Sequence, residues 1–372
     1  LGVAFFASCS DDDKDPFKNY SADYSGDKLA LKLNGKEFSG TSVSFNSENK
    51  KNATLTLNKL IPGEPALEVK NLIVEELAGD DYTFAGENKN DDRIVLVEGA
   101  VKSGVLSLNT SFKVISKVVG EWMLAKPEMD DNYNMVSSYI HLEIVTDVDS
   151  IAFPIWGKLP INPNPEIEGD LGLTTLLQTL GGGILPGLLK KMNLKEDGNL
   201  IASYHQITGI QDLFQPDATP LVDSEEGLVR YNVKDGQIYI LVDIESLLGR
   251  STENNPTSML MTMLETGIPL KVQLDGEKMR AYVDREMMLP FMSVLELLLP
   301  MIDDLELDPT FAAMGITNES LKQLVNDIIN LVTKSSKVEL GLNLTSFVED
   351  EETQASLALP KVIEETVFQL AK

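Results

Sequence analysis

The chain has 372 residues, which is long enough for two domains and a large hydrophobic core. Its 58 acidic and 31 basic side chains give a formal charge of −27, which repels phosphate backbones and argues against a nucleic-acid partner. The single cysteine, Cys9, excludes an internal disulfide, a thiolate zinc site and an iron–sulfur cluster.

The first residues form an apolar run that ends in two small residues, Ala7 and Ser8, before Cys9. Such a run is typical of the second half of a secretory signal peptide, and we interpret residues 1–8 as its remnant. Residues 6–9 resemble a lipobox, the motif at which bacterial lipoprotein signal peptidase cuts before an acylated cysteine. The resemblance implies that the Cys9 thiol carries lipid, with palmitate-type acyl chains as the membrane anchor. The alternative is an apolar start with an unmodified cysteine.

An acidic run follows the anchor cysteine and includes Asp11, Asp12 and Asp13. A run of this kind predicts a solvated tether, which we place over residues 9–23. It also resembles the acidic export signal of Bacteroidetes-type lipoproteins, which directs them to the outer face of the outer membrane. The resemblance implies a lipid-anchored outer-membrane protein that is exposed on the cell surface.

Residues 24–117 show short alternating apolar runs that are separated by turn residues, a pattern typical of a small β-barrel or sandwich. The dipeptide Asn34-Gly35 predicts a tight hairpin. The segment resembles the calycin-like domain of Bacteroidetes lipoproteins in four places: residues 24–26 (Tyr-Ser-Gly), the Asn34-Gly35 hairpin, residues 82–86 (Tyr-Thr-Phe-Ala-Gly) and residues 104–108 (Gly-Val-Leu-Ser-Leu).

A second module covers residues 118–372. The Gly-Glu-Trp of residues 120–122 resembles the opening of lipocalin-like barrels, in which the tryptophan, here Trp122, plugs the closed end. The alternative is a single buried tryptophan at the start of a strand. Asp-Gly dipeptides between alternating runs predict three hairpins, because glycine takes the positive φ that a tight turn requires. Their turns lie at residues 197–198, 235–236 and 275–276.

Helical segments separate these hairpins. Residues 171–189 predict two short buried helices that are joined by a flexible turn at the three consecutive glycines of residues 181–183. Residues 287–299 predict a helix that contains proline, and residues 318–334 an amphipathic helix with a Thr317 cap. Residues 338–344 alternate as a strand, and one more helix is expected after residue 353. The fold class is therefore mainly β with inserted helices (α+β), as two consecutive small β-barrel modules, the second larger and decorated with amphipathic helices. Taken whole, the chain resembles an uncharacterised family of Bacteroidetes outer-membrane lipoproteins with this layout.

The sequence provides few residues for catalysis. Its two histidines, His141 and His205, each lie in an alternating run, where a hydrogen-bonded strand histidine is the simplest interpretation. No nucleophile elbow, phosphate-binding loop, calcium loop or zinc-protease motif is present. We therefore expect a protein that is not an enzyme and that uses no metal and no cofactor.

Eight of the 13 methionines fall between residues 259 and 301. Thioether side chains adapt to irregular apolar surfaces, so this cluster indicates a pocket in the second module that accepts varied apolar ligands. Core packing between helices and the barrel is the alternative. The candidate ligand-binding residues are Trp122, Met259, Met263, Met288 and Met292.

Three function classes follow from these observations. The first is a surface lipoprotein that acts as a non-catalytic binding module for an apolar or glycan-derived small molecule. The second is a structural or protein-interaction component of the cell envelope, and the third, ranked last, is a carboxylate-based hydrolase. A hollow second barrel would favour the binding module. A filled barrel with an exposed apolar patch would favour the structural or protein-interaction component. Two facing carboxylates in a cleft would favour the hydrolase. The sequence identifies neither a protein partner nor an oligomeric state.

Overall fold

A computed structural model describes residues 18–50, 52–131, 135–154, 157–162, 172–208, 212, 216–243, 266–303, 305, 307 and 315–348. The fold is mostly β, with few helices and two curled half-barrel sheets, which confirms the predicted fold class. The chain divides into two compact units. The first contains the residues up to Leu60 together with Ala66–Lys89 and Ile94–Phe112, and the second contains Ile61–Pro65, Asn90–Arg93 and the residues from Lys113 onward.

The sheet of the first unit has nine strands in the order β1-β4-β5-β6-β7-β8-β9-β2-β3. Only the three residues Gly26–Lys28 separate β1, at one edge, from β2, which lies next to the other edge and pairs with β9 in parallel. Because the connection is so short, the sheet must curl until its two edges approach each other. The strands are β1 (Ala22–Ser25), β2 (Leu29–Leu33), β3 (Lys36–Phe38), β4 (Ser42–Ser47), β5 (Ala53–Ile61), β6 (Glu64–Glu76), β7 (Tyr82–Lys89), β8 (Arg93–Lys102) and β9 (Val105–Val114).

An aromatic cluster fills part of the inner face of this sheet. The ring centroids of Phe45 and Phe84 are 4.8 Å apart, and those of Tyr20 and Tyr82 are 4.5 Å apart. The hydroxyls of Tyr24 and Tyr82 form a buried hydrogen bond with an oxygen–oxygen distance of 2.9 Å. Burial and this hydrogen bond raise the pKa of Tyr82 above its usual value. Side chains alternate between the two faces along a strand, so the residues directly next to these aromatics on each strand face the outside.

The main sheet of the second unit follows the order β18-β17-β16-β10-β23-β22-β21-β20-β19, and β13 also pairs with β23. Along one edge of β23, β13 pairs with residues 337–342 and β10 with residues 344–346. Two separate ribbons are formed by β11 with β12 and by β14 with β15. The strands are β10 (Gly120–Leu124), β11 (Glu128–Met129), β12 (Met135–Ser137), β13 (Ile140–Val145), β14 (Ser150–Phe153), β15 (Gly157–Pro160), β16 (Leu189–Leu194), β17 (Leu200–His205), β18 (Leu221–Asp223), β19 (Val229–Lys234), β20 (Gln237–Val242), β21 (Ile268–Asp275), β22 (Lys278–Asp284) and β23 (Lys337–Ser346).

Within the described residues, three α-helices accompany this sheet: α1 (Leu173–Leu188), α2 (Arg285–Ile302) and α3 (Asn318–Lys334). Leu173 of α1 and Leu331 of α3 share a buried cluster against which Ile144 of β13 packs. A second cluster joins Met292 of α2 to Ile329 of α3. The helices therefore cover the face of β13 that carries its even-numbered side chains, and the odd-numbered side chains point to the opposite face.

The local hairpin signals are confirmed. At residues 34–35 both φ angles are positive, and Leu33 pairs with Lys36 across the turn. Lys234 pairs with Gln237 in the same way. The other two predicted hairpins join β16 to β17 and β21 to β22. These turns form where expected because the positive φ is a property of the turn residues themselves.

The prediction of two short helices over residues 171–189 is wrong, because α1 runs unbroken through all three central glycines and Pro186. The reason lies in packing. A Cβ at Gly181 would lie 1.8 Å from the Cδ1 atom of Ile140, which shows how closely α1 packs against β13. Tertiary contact outweighs the low helix propensity of glycine here. The predicted helix at residues 318–334 is confirmed together with its cap at Thr317.

Candidate functional site

An open depression of about 500 Å³ lies on the outer face of the first sheet, across strands β6 to β9. Apart from Phe84 and Gly99, its lining residues alternate with the buried side chains of the same strands, as the pleat requires. Each strand contributes a pair of outward residues, and the cross-strand register aligns them in rows, with Glu75 opposite Thr83 and Thr83 opposite Ala100. The lining residues are Ile73, Glu75, Thr83, Phe84, Ala85, Glu98, Gly99, Ala100, Ser107 and Asn109.

The depression forms because its centre carries small side chains. Ala85 of β7 and Ala100 of β8 project little above the sheet, whereas the longer Ile73, Glu75 and Glu98 stand around them. On the inner face beneath these alanines, Gly99 carries no side chain. A Cβ at Gly99 would lie 2.1 Å from the Cζ atom of Phe84, so the buried phenyl ring occupies the space where a side chain would be.

Polar groups line this depression without protein partners. Both Glu75 and Glu98 are exposed, and neither side chain forms an ion pair or a hydrogen bond with a described residue. Ile73, with 67% of its surface exposed, places an aliphatic surface beside them. The depression therefore combines hydrogen-bond acceptors with a small apolar surface, which is the usual chemistry of a site that orients a small ligand.

A second polar group of side chains lies on the face of β13, β23 and β22 that the helices leave uncovered. The Nε2 atom of His141 is 2.8 Å from a carboxylate oxygen of Glu339, and the two side chains are 10% and 16% exposed. Lys337 forms ion pairs with Glu143 at 2.7 Å and with Glu339 at 3.3 Å. Burial acts to raise the pKa of Glu339, but the hydrogen bond with His141 and the ion pair with Lys337 outweigh it, so the pKa lies below its usual value.

One atom from each of His141, Glu143 and Glu339 lies within 4.8 Å of the others, so these three residues could hold a metal ion. The ring of His141 also contacts Tyr282 edge-on, with the ring centroids 5.3 Å apart. The second histidine, His205, donates a hydrogen bond from Nδ1 to the backbone oxygen of Thr219 at 3.0 Å. Both histidines thus lie in strands and bind neighbouring groups, as expected from the sequence.

None of the described candidate ligand-binding residues lines the depression of the first sheet. Trp122 is buried in β10, and its indole N–H donates to the backbone oxygen of Val118 at 2.8 Å. Met288 and Met292 lie on α2 and pack in the cluster shared with α3. The remaining residues singled out from the sequence fall outside the described residues: Cys9, Asp11, Asp12, Asp13, Met259 and Met263.

Sequence reasoning missed both the depression and the polar cluster of His141, Glu143 and Glu339. The local signal for the polar cluster was a His-x-Glu spacing at residues 141 and 143, which places two potential ligands on one face of a strand. The partner Glu339 is 198 residues away from His141 in the chain. For the depression, the available signal was the outward position of two alanines in strands whose other outward residues are larger.

Within the described residues, no helix is both long enough and apolar enough to cross a membrane. Comparison of the chain with protein families finds no match. Comparisons with curated proteins and with solved structures likewise find none.

Proposed function

We propose that the chain is a lipoprotein of the cell envelope that binds a glycan-derived ligand without chemical conversion, in the depression of the first sheet. The single observation that carries this proposal is the pair of exposed carboxylates, Glu75 and Glu98, which have no partner among the described residues and border a depression of about 500 Å³. Anchoring through Cys9 and exposure at the outer membrane surface are part of the same proposal.

The lining defines the ligand class. Carboxylates accept hydrogen bonds but donate none, so a partner rich in donors fits them, as sugar hydroxyls do. The formal charge of −27 repels anions and favours a neutral or cationic ligand. The exposed aliphatic side chain of Ile73 can contact the C–H face of a sugar ring. The depression is open, so it suits a segment of a longer oligosaccharide.

The position of the two carboxylates on the sheet favours binding over hydrolysis. Glu75 and Glu98 lie two strands apart and are offset by two residues in register. Ideal sheet dimensions then separate their backbones by about 12 Å. Glycosidases hold their two carboxyl groups about 5 Å apart when they retain configuration and about 6.5–9.5 Å apart when they invert it, in both cases on opposite sides of a cleft. The outer face of a sheet offers no such cleft, and this favours the binding class over the hydrolase class.

An oligosaccharide array tests the proposal. The full chain with Cys9→Ser, which removes the proposed lipid, would be applied to an array of neutral, amine-bearing and carboxylate-bearing oligosaccharides. We expect binding to a subset of the neutral or amine-bearing sugars. In the same background Ala100→Arg, which places a long side chain at the centre of the depression, should abolish the signal.

The matched control is Leu96→Arg, because Leu96 is 45% exposed on the same strand as Ala100 but does not line the depression. It should leave binding unchanged. Absence of binding to any neutral or amine-bearing sugar, or equal loss in both variants, would contradict the proposal. Products released from the bound sugars would favour the hydrolase class instead.

The anchor is tested separately. Cells that express the full-length gene would be fed a palmitate analogue and then treated with protease. The proposal expects the protein to be labelled and to be cleaved on intact cells, and Cys9→Ser to lose the label. Labelled protein that is fully protected from protease would contradict surface exposure, and an unlabelled protein would contradict lipidation.

A protein-interaction role is the second candidate function. Leu297 and Met301 lie four residues apart on α2, are 57% and 38% exposed, and therefore form an apolar strip on one face of the helix. A photo-crosslinking residue at position 297 on intact cells would trap an envelope partner if this strip is an interface. Failure to crosslink any protein would remove this candidate.

A further inference from the structure

A row of three carboxylates crosses the uncovered face of the second sheet. Glu339 of β23 lies directly opposite Glu143 of β13 on one side and opposite Asp284 of β22 on the other. Like charges at opposed positions destabilise a sheet. A row of this kind therefore requires cations beside it, and lysine side chains supply them in this structure.

Lys271 forms an ion pair with Asp284, and Lys337 bridges Glu143 and Glu339. The side chain of Lys337 is 41% exposed, so its flexible stem can move into solvent without loss of core packing. The Lys337 ammonium therefore already places a positive charge between Glu143 and Glu339, and a metal ion can displace it.

The next row of the same face supplies a nitrogen ligand. His141 is two residues from Glu143 on β13, so both side chains project to the same side. Across from His141, Gly341 carries no side chain, and the ring of Tyr282 fills the space on the far side. The imidazole is therefore held against Glu339 by the sheet and by the Tyr282 ring, with its Nε2 atom 2.8 Å from the carboxylate.

We propose that His141, Glu143 and Glu339 form a binding site for a divalent transition-metal ion of the zinc class. One imidazole nitrogen and two carboxylate oxygens are a ligand set that suits such ions, whereas calcium and magnesium prefer oxygen alone. In tetrahedral coordination, ligands at about 2.0–2.1 Å from zinc lie about 3.4 Å from one another. The three atoms now lie within 4.8 Å of one another, so metal binding requires the glutamate side chains to rotate and bring their oxygens closer together.

The metal would take the place of Lys337 between the two glutamates, and water would complete its coordination. Such a site ties β13 to β23, two strands that the chain brings together from distant positions. It goes beyond the proposed glycan binding and does not depend on it, because all of its residues belong to the second unit.

Zinc chloride titration of the full chain with Cys9→Ser tests the site. The chain contains only two histidines, so ¹⁵N-labelled imidazoles give one signal set from His141 and one from His205. We expect the His141 signals to shift with one equivalent of zinc while those of His205 do not. Zinc that binds without moving the His141 signals, or no binding up to millimolar zinc, would overturn the proposal.

Variants separate a metal site from an ion-pair network. His141→Gln should weaken zinc binding measured by calorimetry by at least about tenfold, whereas the matched control His205→Gln should not. Lys337→Met removes the competing cation and should strengthen binding by about tenfold. A structural role alone predicts no gain, and the His205 signals, unchanged in Lys337→Met, show that the chain remains folded. Unchanged or weaker zinc binding in Lys337→Met would overturn the proposal.

Discussion

The first sheet buries its inner face with its own strand side chains, whereas helices cover the apolar face of the second. In the first unit the aromatic rings of β4 and β7 meet inside the curl. In the second unit α1 and α3 pack on β13, and α2 packs on α3. The same strand alternation thus leads to two interiors of different construction.

The two outer faces differ as well. The first carries small side chains at the centre of β7 and β8 and unpaired carboxylates beside them, which leaves a depression open to a ligand. On the second, charged groups neutralise each other, as Lys337 does for Glu143 and Glu339. An acidic surface therefore has different uses: exposed carboxylates without partners are available for recognition, whereas carboxylates with cationic partners hold neighbouring strands together.

The largest expected effect is on the second sheet, at Gly341. A Cβ at this position would lie 2.1 Å from the backbone oxygen of Ala281, and backbone cannot move aside as a side chain can. We expect Gly341→Ala to lower the free energy of unfolding by more than about 3 kcal/mol. Urea unfolding followed by the fluorescence of Trp122, which lies in β10 of the second unit, measures it.

Gly181→Ala is the control for that experiment. Its added Cβ would meet the flexible tip of Ile140, which can rotate away, and alanine is a better helix former than glycine by about 1 kcal/mol. We expect a change below about 1 kcal/mol. A cost as large as that of Gly341→Ala would mean that α1 and the sheet are packed as rigidly as two paired strands.

The next effect concerns the first unit, where Gly99→Ala would force its Cβ into the Phe84 ring. That ring is held by Phe45, so we expect a loss of about 2–3 kcal/mol. Hydrogen exchange of β8 amides reports it. The double variant Gly99→Ala with Phe84→Leu should cost less than the sum of the single variants, because the smaller side chain makes room. Additive costs would show that the ring does not fill this space.

Tyr82→Phe should cost about 1–2 kcal/mol, because it leaves the buried Tyr24 hydroxyl without its partner. The pKa of Tyr82 is raised in the folded state, so folding favours the neutral phenol and stability falls as the pH rises above about 10. Hydrogen exchange of β7 at pH 8 and pH 11 should show this loss in the unmodified chain and a smaller one in Tyr82→Phe. Tyr204→Phe, at a tyrosine that is 38% exposed, should match the unmodified chain at both pH values.

The smallest effect is at the start of α3. The Thr317 hydroxyl accepts a hydrogen bond from the Ser320 N–H at 3.1 Å, and the Thr317 N–H donates to the Ser320 hydroxyl at 2.8 Å. Thr317→Ala should therefore cost about 1 kcal/mol, seen as faster exchange in the first turn of the helix. Thr333→Ala, inside the same helix, should be nearly neutral. Equal effects would mean that the cap does not hold this helix end.

Much of the fold could be predicted because its signals are local. Asn34-Gly35 and Asp235-Gly236 impose positive φ within two residues, and the Thr317 cap lies next to the helix it starts. The continuity of α1 could not be predicted in this way. It depends on contact between Gly181 and Ile140, which no window of sequence contains.

The sites were harder to predict for the same reason. His141 and Glu339 meet only because β13 and β23 pair, and no pattern in either segment indicates the other. The depression arises where outward alanines from neighbouring strands align, and an outward alanine in one strand does not indicate which residue lies beside it on the next. Methionine clustering was visible in the sequence, but clustering alone does not separate a pocket from the helix packing in which Met292 takes part.

The most direct test of the central claim uses ¹³C-methyl labels on isoleucine and leucine in the full chain with Cys9→Ser. Ile73 lines the depression, and Leu96 lies on the same sheet face outside it. When an oligosaccharide that binds on the array is added, the Ile73 methyl signal should shift in a saturable way while the Leu96 signals stay fixed. An oligosaccharide that binds and leaves the Ile73 signal unchanged would contradict the account.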